Sequence, residues 1–295
     1  MKSILVNIAS DSLGDNIASM PYIDKFREDF QYDVDVLINE HLHFLFKESY
    51  PELNFVTNGE KEYDKTIPLY YVNTYKNIQE EFANQLGYID WSYIRPKVDV
   101  PTTPRKIKKK YISAGIHSTA QLKYWNTPLG KQSQTSSLYW TMLFKKIKSD
   151  GFQPVVVERD EMFGVPPFRN GMPDSCLKRI GGTLEESMSY IYHSEFFIGL
   201  SSGLAWLAHA MGKPVVMISN FTKDHSEFDL SCEDYIRITN KSVCHGCWNK
   251  MKTINKFDSS DWYWCPEHKD TPRQFECHTS ITPDMVYNKI KHWLS

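Results

Sequence analysis

EFFIGLSSGLAWLAHAMGKPVVMIS, residues 195–219, reads as strand, loop, helix and strand in a single pass. EFFIGL (195–200) and PVVMIS (214–219) are short apolar runs of β type, and GLAWLAHAMG (203–212) between them is long enough for a helix. A strand that returns to the sheet through a helix lies parallel to its neighbour, with a right-handed crossover. The same alternation runs upstream, through strand YISAGI (111–116), helix SSLYWTMLFKKIKSDG (136–151), strand PVVVE (154–158) and a helix over 183–193. It also opens the chain, with strand SILVNIA (3–9) and a helix from Ala18 to Phe30 carrying Met20, Ile23, Phe26 and Phe30 on one face. Strands VDVLIN (34–39) and LNFV (53–56) follow, then a helix over 74–87 with Tyr75, Ile78, Phe82 and Leu86 aligned.

Between the two alternating blocks lies IRPKVDVPTTPRKIKKK (94–110), with three prolines and seven basic residues, a composition that resists regular structure and marks a boundary. Two α/β units of this kind leave a cleft at the carboxyl ends of their strands. The chain closes with ITPDMVYNKIKHWLS (281–295), a helix capped by Thr282 with Pro283 in its first position. The units are therefore 1–98, 99–231, a cysteine-bearing segment 232–280 and the helix 281–295. The 295 residues, 41% hydrophobic and 24% charged, suffice for about two cores. A net charge of −2 gives no support to nucleic-acid binding, and no apolar run reaches the roughly 20 residues of a membrane span. MKSILVNIAS is broken by Asn7 and followed by Asp11, so it does not read as a secretory signal, and a reducing, cytoplasmic setting is expected.

That setting bears on Cys244, Cys247, Cys265 and Cys277, in CHGCWN, DWYWCPEH and RQFECH. One C-x2-C pair with two further cysteines suits a tetrahedral metal finger; buried thiols and disulfides are the alternatives. Cys176 and Cys232 are then spare thiols, and His245, His268 and His278 neighbours of the thiolates. In the first strand-to-helix loop, Asp15 after Gly14 is a candidate general base, with helix capping by Asp15, Asp11 or Ser12 as the competing role. HSTAQLKYW (117–125) offers Ser118, Thr119 and Lys123, hydroxyls and a flexible cation suited to a diphosphate, or else a solvated loop. GLSSGLAW (199–206) sets Ser201, Ser202 and Gly203 where helix N–H groups can hold an anion, with ordinary capping compatible. Glu158 ends a strand and could take hydrogen bonds from a ribose. Thr183 and Glu186 form a structural capping box. There is no G-x-G-x-x-G, against a nicotinamide or flavin site, and the single D-x-D, Asp33 and Asp35, stands at the wrong end of its strand for a Mg²⁺ site.

SLGDN (12–16), HSTAQLKYW and FFIGLSSGLAWLAHAMGKPVVMIS together resemble the heptosyltransferases of glycosyltransferase family 9, which have a GT-B fold. The cysteine segment narrows the likeness to the bacterial autotransporter heptosyltransferases, which modify serines on strand-loop-strand repeats and carry an iron-binding finger. The resemblance implies two Rossmann-type domains facing a cleft, acceptor-side (1–98) and nucleotide-sugar-binding (99–231), with a four-cysteine metal finger (232–280). It implies Asp15 as catalytic base, Ser118, Thr119 and Lys123 on the phosphates, and Ser201, Ser202, Gly203 and Leu204 on the donor. Cys244, Cys247, Cys265 and Cys277 are implied as ligands of ferric iron, where spacing alone suggests zinc. Trp206 and segment 159–172 are expected to shape the sugar pocket, and the last helix to cross back to the first domain.

The expected activity is metal-independent, inverting transfer of heptose from ADP-heptose to an acceptor hydroxyl, with no Mg²⁺, on a serine of an autotransporter-type protein, by a homo-oligomer. Transfer of another nucleotide sugar to lipopolysaccharide or another glycan is one alternative, and a non-catalytic scaffold whose finger binds a protein is another. The additional N-terminal domain of characterised members, which helps receive the acceptor and build a dodecamer, is not read in these residues, leaving acceptor and assembly open.

Overall fold

In the computed structural model, which describes residues 2–72, 75–125, 137–165, 168–250, 257–258 and 260–295, the alternation becomes two parallel sheets. β1 (Ser3–Ile8), β2 (Asp33–Leu37), β3 (Asn54–Val56) and β4 (Lys65–Leu69) form the first in the order β3-β2-β1-β4, with α1 (Leu13–Phe30) after β1 and α2 (Ile78–Gln85) after β4. The second contains β5 (Tyr111–Gly115), β6 (Gln153–Glu158), β9 (Leu177–Ile180), β10 (Phe197–Leu200), β11 (Val215–Ile218) and β12 (Tyr235–Ile238), ordered β12-β11-β10-β5-β6-β9. An antiparallel hairpin, β7 (Met162–Val165) with β8 (Phe168–Gly171), is inserted between β6 and β9. Helices α3 (Leu138–Ser149), α4 (Leu184–Tyr192) and α5 (Gly203–Ala210) make the crossovers.

Strand order reverses between β1 and β4 in the first sheet, and between β5 and β10 in the second. Those reversals are where loops leave a crevice at the strand ends. α1 and α5 join the sheets through one apolar core, in which Val6, Ile17 and Met20 share a cluster with Ala205, Leu207 and Met217. Residues 91–110 have no helix or strand, as their composition predicts.

Three elements depart from the expected reading. Tyr235–Ile238, expected within the finger, is the sixth strand of the second sheet and pairs with β11. α6 (Glu276–Thr279) and the closing helix α7 (Pro283–Ile290) lie beside α3 of the second sheet, α6 through the Tyr139 bond to Thr279 and α7 by packing. α7 does not cross to the first domain: Val286, Ile290 and Leu294 are buried with Phe144, Ile147 and Phe196. Three buried aliphatic side chains, each worth roughly 1.5–3 kcal/mol, hold it there. The chain is fixed just ahead of it, where Trp125 donates to the Ile281 carbonyl at 2.6 Å and Tyr139 to the Thr279 carbonyl at 3.0 Å. The expected caps form: Thr282 accepts the Met285 N–H at 3.2 Å with Pro283 following it, and Thr183 and Glu186 make the full box.

Candidate active site

The loops after β1, β4, β5, β10 and β11 converge on a cavity of about 400 Å³ between the two sheets. Ser10 and Asp15, Tyr70 and Tyr71, Lys123, Ser201 and Ser202, and Phe221 and Thr222 line it in that order of loops. Both strand-order reversals thus open onto one space.

Asp15 lies in the first turn of α1, behind Ser12 as N-cap, and the Ser12 side chain makes no capping bond. Asp15 instead accepts the Ser10 hydroxyl at 2.6 Å. Asp11 is drawn aside, accepting from Asn39 at 2.7 Å. Asn16 braces the loop by donating to the Ser10 and Ser12 carbonyls, both at 2.9 Å. Burial raises the Asp15 pKa above the usual carboxylate value, against the pull of the Ser10 hydroxyl and of Lys123.

Lys123 ends a 3₁₀ turn, Gln121–Lys123, and its ammonium stands 5.0 Å from the centre of the Phe221 ring. Burial lowers its pKa, while Glu227 and Asp15 oppose that. Among the described residues no hydrogen bond or ion pair within 4 Å closes on its ammonium. The turn itself is fixed: the Gln121 side-chain oxygen accepts from Asn170 at 2.9 Å and Trp262 at 3.1 Å, and Leu122 is buried beside Cys247 and Phe275.

α5 begins where a Cβ on Gly203 would meet the Leu13 Cβ at 2.8 Å and the Gly14 nitrogen at 3.2 Å. Glycine there lets the starts of α1 and α5 meet backbone to backbone. Ser202 is the N-cap of α5 without a side-chain bond, so its hydroxyl does not compete for the helix N–H groups. Trp206, 3% exposed, lines the same cavity and packs edge-on against Phe228 with ring centres 4.6 Å apart.

A second cavity, of about 350 Å³, lies along the second sheet and is lined by Ser118, Thr119, Glu158, Phe163 and Leu204 among others. Ser118 and Thr119 therefore part company with Lys123, because the 3₁₀ turn carries the chain from one cavity to the next. Arg159, Asp160 and Phe163 also line the second cavity, so that part of segment 159–172 borders Glu158 rather than Trp206; residues 166–167 lie outside the described residues. Glu158 Oε1 accepts the backbone N–H groups of Ile116 and of His117, the latter at 2.8 Å. Burial pushes its pKa up to about 7 in spite of those donors.

Residues that patterns alone did not single out complete the first cavity: Ser10, Thr222, Glu227 and Trp248. Glu227 is buried and pairs with Arg237 at 3.2 Å, a side chain that is 3% exposed. Nothing in the local sequence marks them: Glu227, for one, meets Ser201 of the loop after β10 and Arg237 of β12 only in the fold.

All six cysteines are free thiols. Cys244, Cys247, Cys265 and Cys277 line one pocket of about 20 Å³ with Leu122, Asn220 and His245. Among the described residues no three His, Cys, Asp or Glu side chains are drawn together as a formed metal site, so the four thiols share a space without coordinating geometry. Burial first, and then Cys244 and Cys265, push the Cys247 thiol up to about 12. The segment grips the first cavity's wall: Gly246 N–H donates to the Asn220 carbonyl at 2.7 Å, and Trp248 N–H to the Phe221 carbonyl at 3.2 Å. His278 accepts the Asn220 N–H at 3.3 Å.

No family model matches the chain. It is 32% identical to the autotransporter heptosyltransferase Aah of Escherichia coli over 305 residues, covering 98% of this chain and 74% of that protein. It is 31% identical to the autotransporter heptosyltransferase TibC of E. coli O78:H11, covering 98% and 71%. The crystal structure of TibC, an iron-containing dodecameric glycosyltransferase, superposes with a TM-score of 0.87 at 29% identity over 99% of this chain and 78% of that one. TibC has also been solved in complex with ADP-D-β-D-heptose, again with a TM-score of 0.87. A protein of Burkholderia thailandensis named an inactive autotransporter heptosyltransferase, BimC, is 25% identical over 98% of this chain and 68% of its own length. With two parallel-sheet α/β units in a GT-B-like arrangement and likeness to Aah and TibC along 98% of its own length, the chain belongs to the autotransporter heptosyltransferase family.

Proposed function

We propose that this chain transfers heptose from ADP-heptose to a serine hydroxyl of an autotransporter-type protein, with inversion at the anomeric carbon. Lys123 carries the reading: a cation held in a cavity at the junction of two sheets, with no ion pair within 4 Å among the described residues, is a site for an anionic ligand. Family membership and the ADP-heptose complex of TibC support the identity of that ligand.

In this reaction Asp15 takes the proton of the acceptor hydroxyl as its oxygen attacks the anomeric carbon, and the bond from that carbon to the phosphate oxygen breaks. Lys123 and the N–H groups at the start of α5 receive the charge that develops on the departing ADP. Ser118, Thr119, Glu158 and Leu204 hold the nucleoside side of the donor in the second cavity, and Ser201, Ser202, Gly203 and Trp206 the glycosyl side. On this reading 1–98 is the acceptor-side domain and 99–231 the nucleotide-sugar domain, with 281–295 as a closing element on the latter. No Mg²⁺ takes part.

Cys244, Cys247, Cys265 and Cys277 would hold one iron ion, with zinc the alternative for a four-thiolate set. Their shared pocket has room for about one water-sized body. The raised thiols of Cys244, Cys247 and Cys277 fit as well, since sulfurs drawn together need a cation to stay ionised. A metal there would steady Leu122, and through it the turn that carries Lys123. Among the described residues no helix is long and apolar enough to cross a membrane, and a cytoplasmic oligomer is part of the reading.

The test is incubation of the metal-replete protein with ADP-heptose and a serine-bearing autotransporter fragment, read by intact mass. A gain of one heptosyl unit, mapped to serine, is expected. Transfer only to a lipopolysaccharide core glycan would replace the acceptor, and no transfer to either beside retained protein binding would favour the scaffold.

A further inference from the structure

Ser201 is a hydroxyl at the mouth of a helix, yet its proton is already committed. Its Oγ donates to Glu227 Oε1 at 2.8 Å. A carboxylate accepts only, so Ser201 is left with its lone pairs and no free proton. Phosphate oxygens also only accept. Ser201 is therefore the wrong partner for a diphosphate and the right one for a group that donates.

Glu227 is held so that this polarity persists. Its other oxygen accepts from Thr222 Oγ1 at 2.9 Å and from the buried Arg237 guanidinium at 3.2 Å. Arg237 is itself anchored on the Thr222 carbonyl at 2.8 Å. On the opposite side Asn77, the N-cap of α2, donates to the Glu227 and His225 carbonyls, both at 2.8 Å, and the Ile78 N–H reaches the Ser226 carbonyl at 3.1 Å. The Glu227 backbone is thus held by the start of α2, and its carboxylate by Ser201, Thr222 and Arg237 of the second sheet's side. Ser226, wholly buried in the same cavity wall, has a hydroxyl with no partner among the described residues.

We infer that Glu227 is a positioning and specificity-determining residue: it fixes Ser201 as a hydrogen-bond acceptor for a hydroxyl of the transferred glycosyl unit, leaving the diphosphate to Lys123 and the α5 N–H groups. The inference rests on the nucleotide-sugar reading above. Its consequence is selective: contacts through Ser201 strengthen binding of the sugar and not of the nucleotide.

The test compares calorimetric binding of ADP, ADP-heptose, UDP-glucose and GDP-mannose, with UDP and GDP as references, to wild type, Ser201→Ala, Glu227→Gln and the double variant. In Glu227→Gln the remaining carbonyl oxygen is claimed by Arg237 and Thr222, which turns the amide N–H toward Ser201 and frees the serine proton. Each single variant should bind the preferred nucleotide sugar about 3–10-fold more weakly. The parent diphosphate should stay within about twofold, and the double variant should lose no more than either single one. Ser201→Ala leaves the Glu227–Arg237 pair intact and keeps the test decisive if Glu227→Gln does not fold. Parallel losses for sugar and diphosphate, additive losses, no loss, or a wild type that binds no nucleotide sugar better than its diphosphate would each overturn the inference. Preference for a sugar other than ADP-heptose would retire the donor reading alone, because the difference between that donor and its own diphosphate still decides the role of Glu227.

Discussion

Asp15 and Glu158 are both carboxylates whose pKa burial raises, one in each cavity beside α5, and the protein treats them differently. Glu158 takes two backbone N–H groups on one oxygen, donors that cannot rotate away. Asp15 takes one serine hydroxyl, which can rotate, and feels Lys123 nearby. A carboxylate tied to the backbone shapes a pocket. One tied to a rotor can exchange its partner for a reacting hydroxyl, and that difference separates a binding role from a chemical one.

The largest effect should come from Asp15→Asn, which keeps the shape and the Ser10 contact but removes the base. Turnover with ADP-heptose and acceptor fragment should fall by about 10²–10⁴, with calorimetric donor affinity retained. Normal turnover in this variant would erase the distinction between the two carboxylates. Next in size is Lys123→Met, expected to weaken ADP by about 10–100-fold through loss of a charge-assisted hydrogen bond. The same variant should unfold at a higher temperature at pH 7 without ligand. Burial depresses the folded-state pKa of Lys123, so the charged form is penalised at every pH below that value. An apoprotein destabilised by the substitution would mean that Lys123 has a structural partner.

Glu158→Gln sharpens the comparison from the other side and is the smaller effect, because glutamine can still accept both N–H groups. Its ordinary value of 4.5 is raised to about 7 in the fold, so protonation favours the folded state and wild-type stability falls as pH rises between those values. The variant should match wild type below about pH 4.5 and gain on it up to about pH 7, measured by urea unfolding. A constant difference across that window would mean the burial of Glu158 is not what sets its proton affinity.

Much of this is legible in the sequence where apolar runs are long enough to count. β5, β6, β10 and β11 are buried on both faces and read as continuous apolar stretches. β4 is hidden because Pro68 breaks its pattern, which an edge strand paired only with β1 tolerates. β9, LKRI, is an edge with exposed lysine and arginine, and β12, YIRI, is interrupted by Arg237 and so does not stand out from the cysteine segment. Within the site, Asp15, Lys123 and the serines before α5 lie in the connections that leave the carboxyl ends of β1, β5 and β10, so position along the chain predicts their place. Ser10 is set by its bond to Asp15 five residues on, and Glu227 meets Ser201 and Arg237, 26 and 10 residues away, only once the loops and β12 are folded together; no periodicity encodes those contacts. The division of HSTAQLK between two cavities depends on a three-residue turn that leaves no mark in composition.

The most direct test of the central claim is titration of the metal-replete protein and of Lys123→Ala with ADP-heptose, ADP, UDP-glucose and GDP-mannose in the calorimeter. The account predicts that ADP-heptose binds most tightly and that the substitution weakens it by about tenfold or more. Equal binding by the two proteins, or preference for a uridine or guanosine donor, would contradict it.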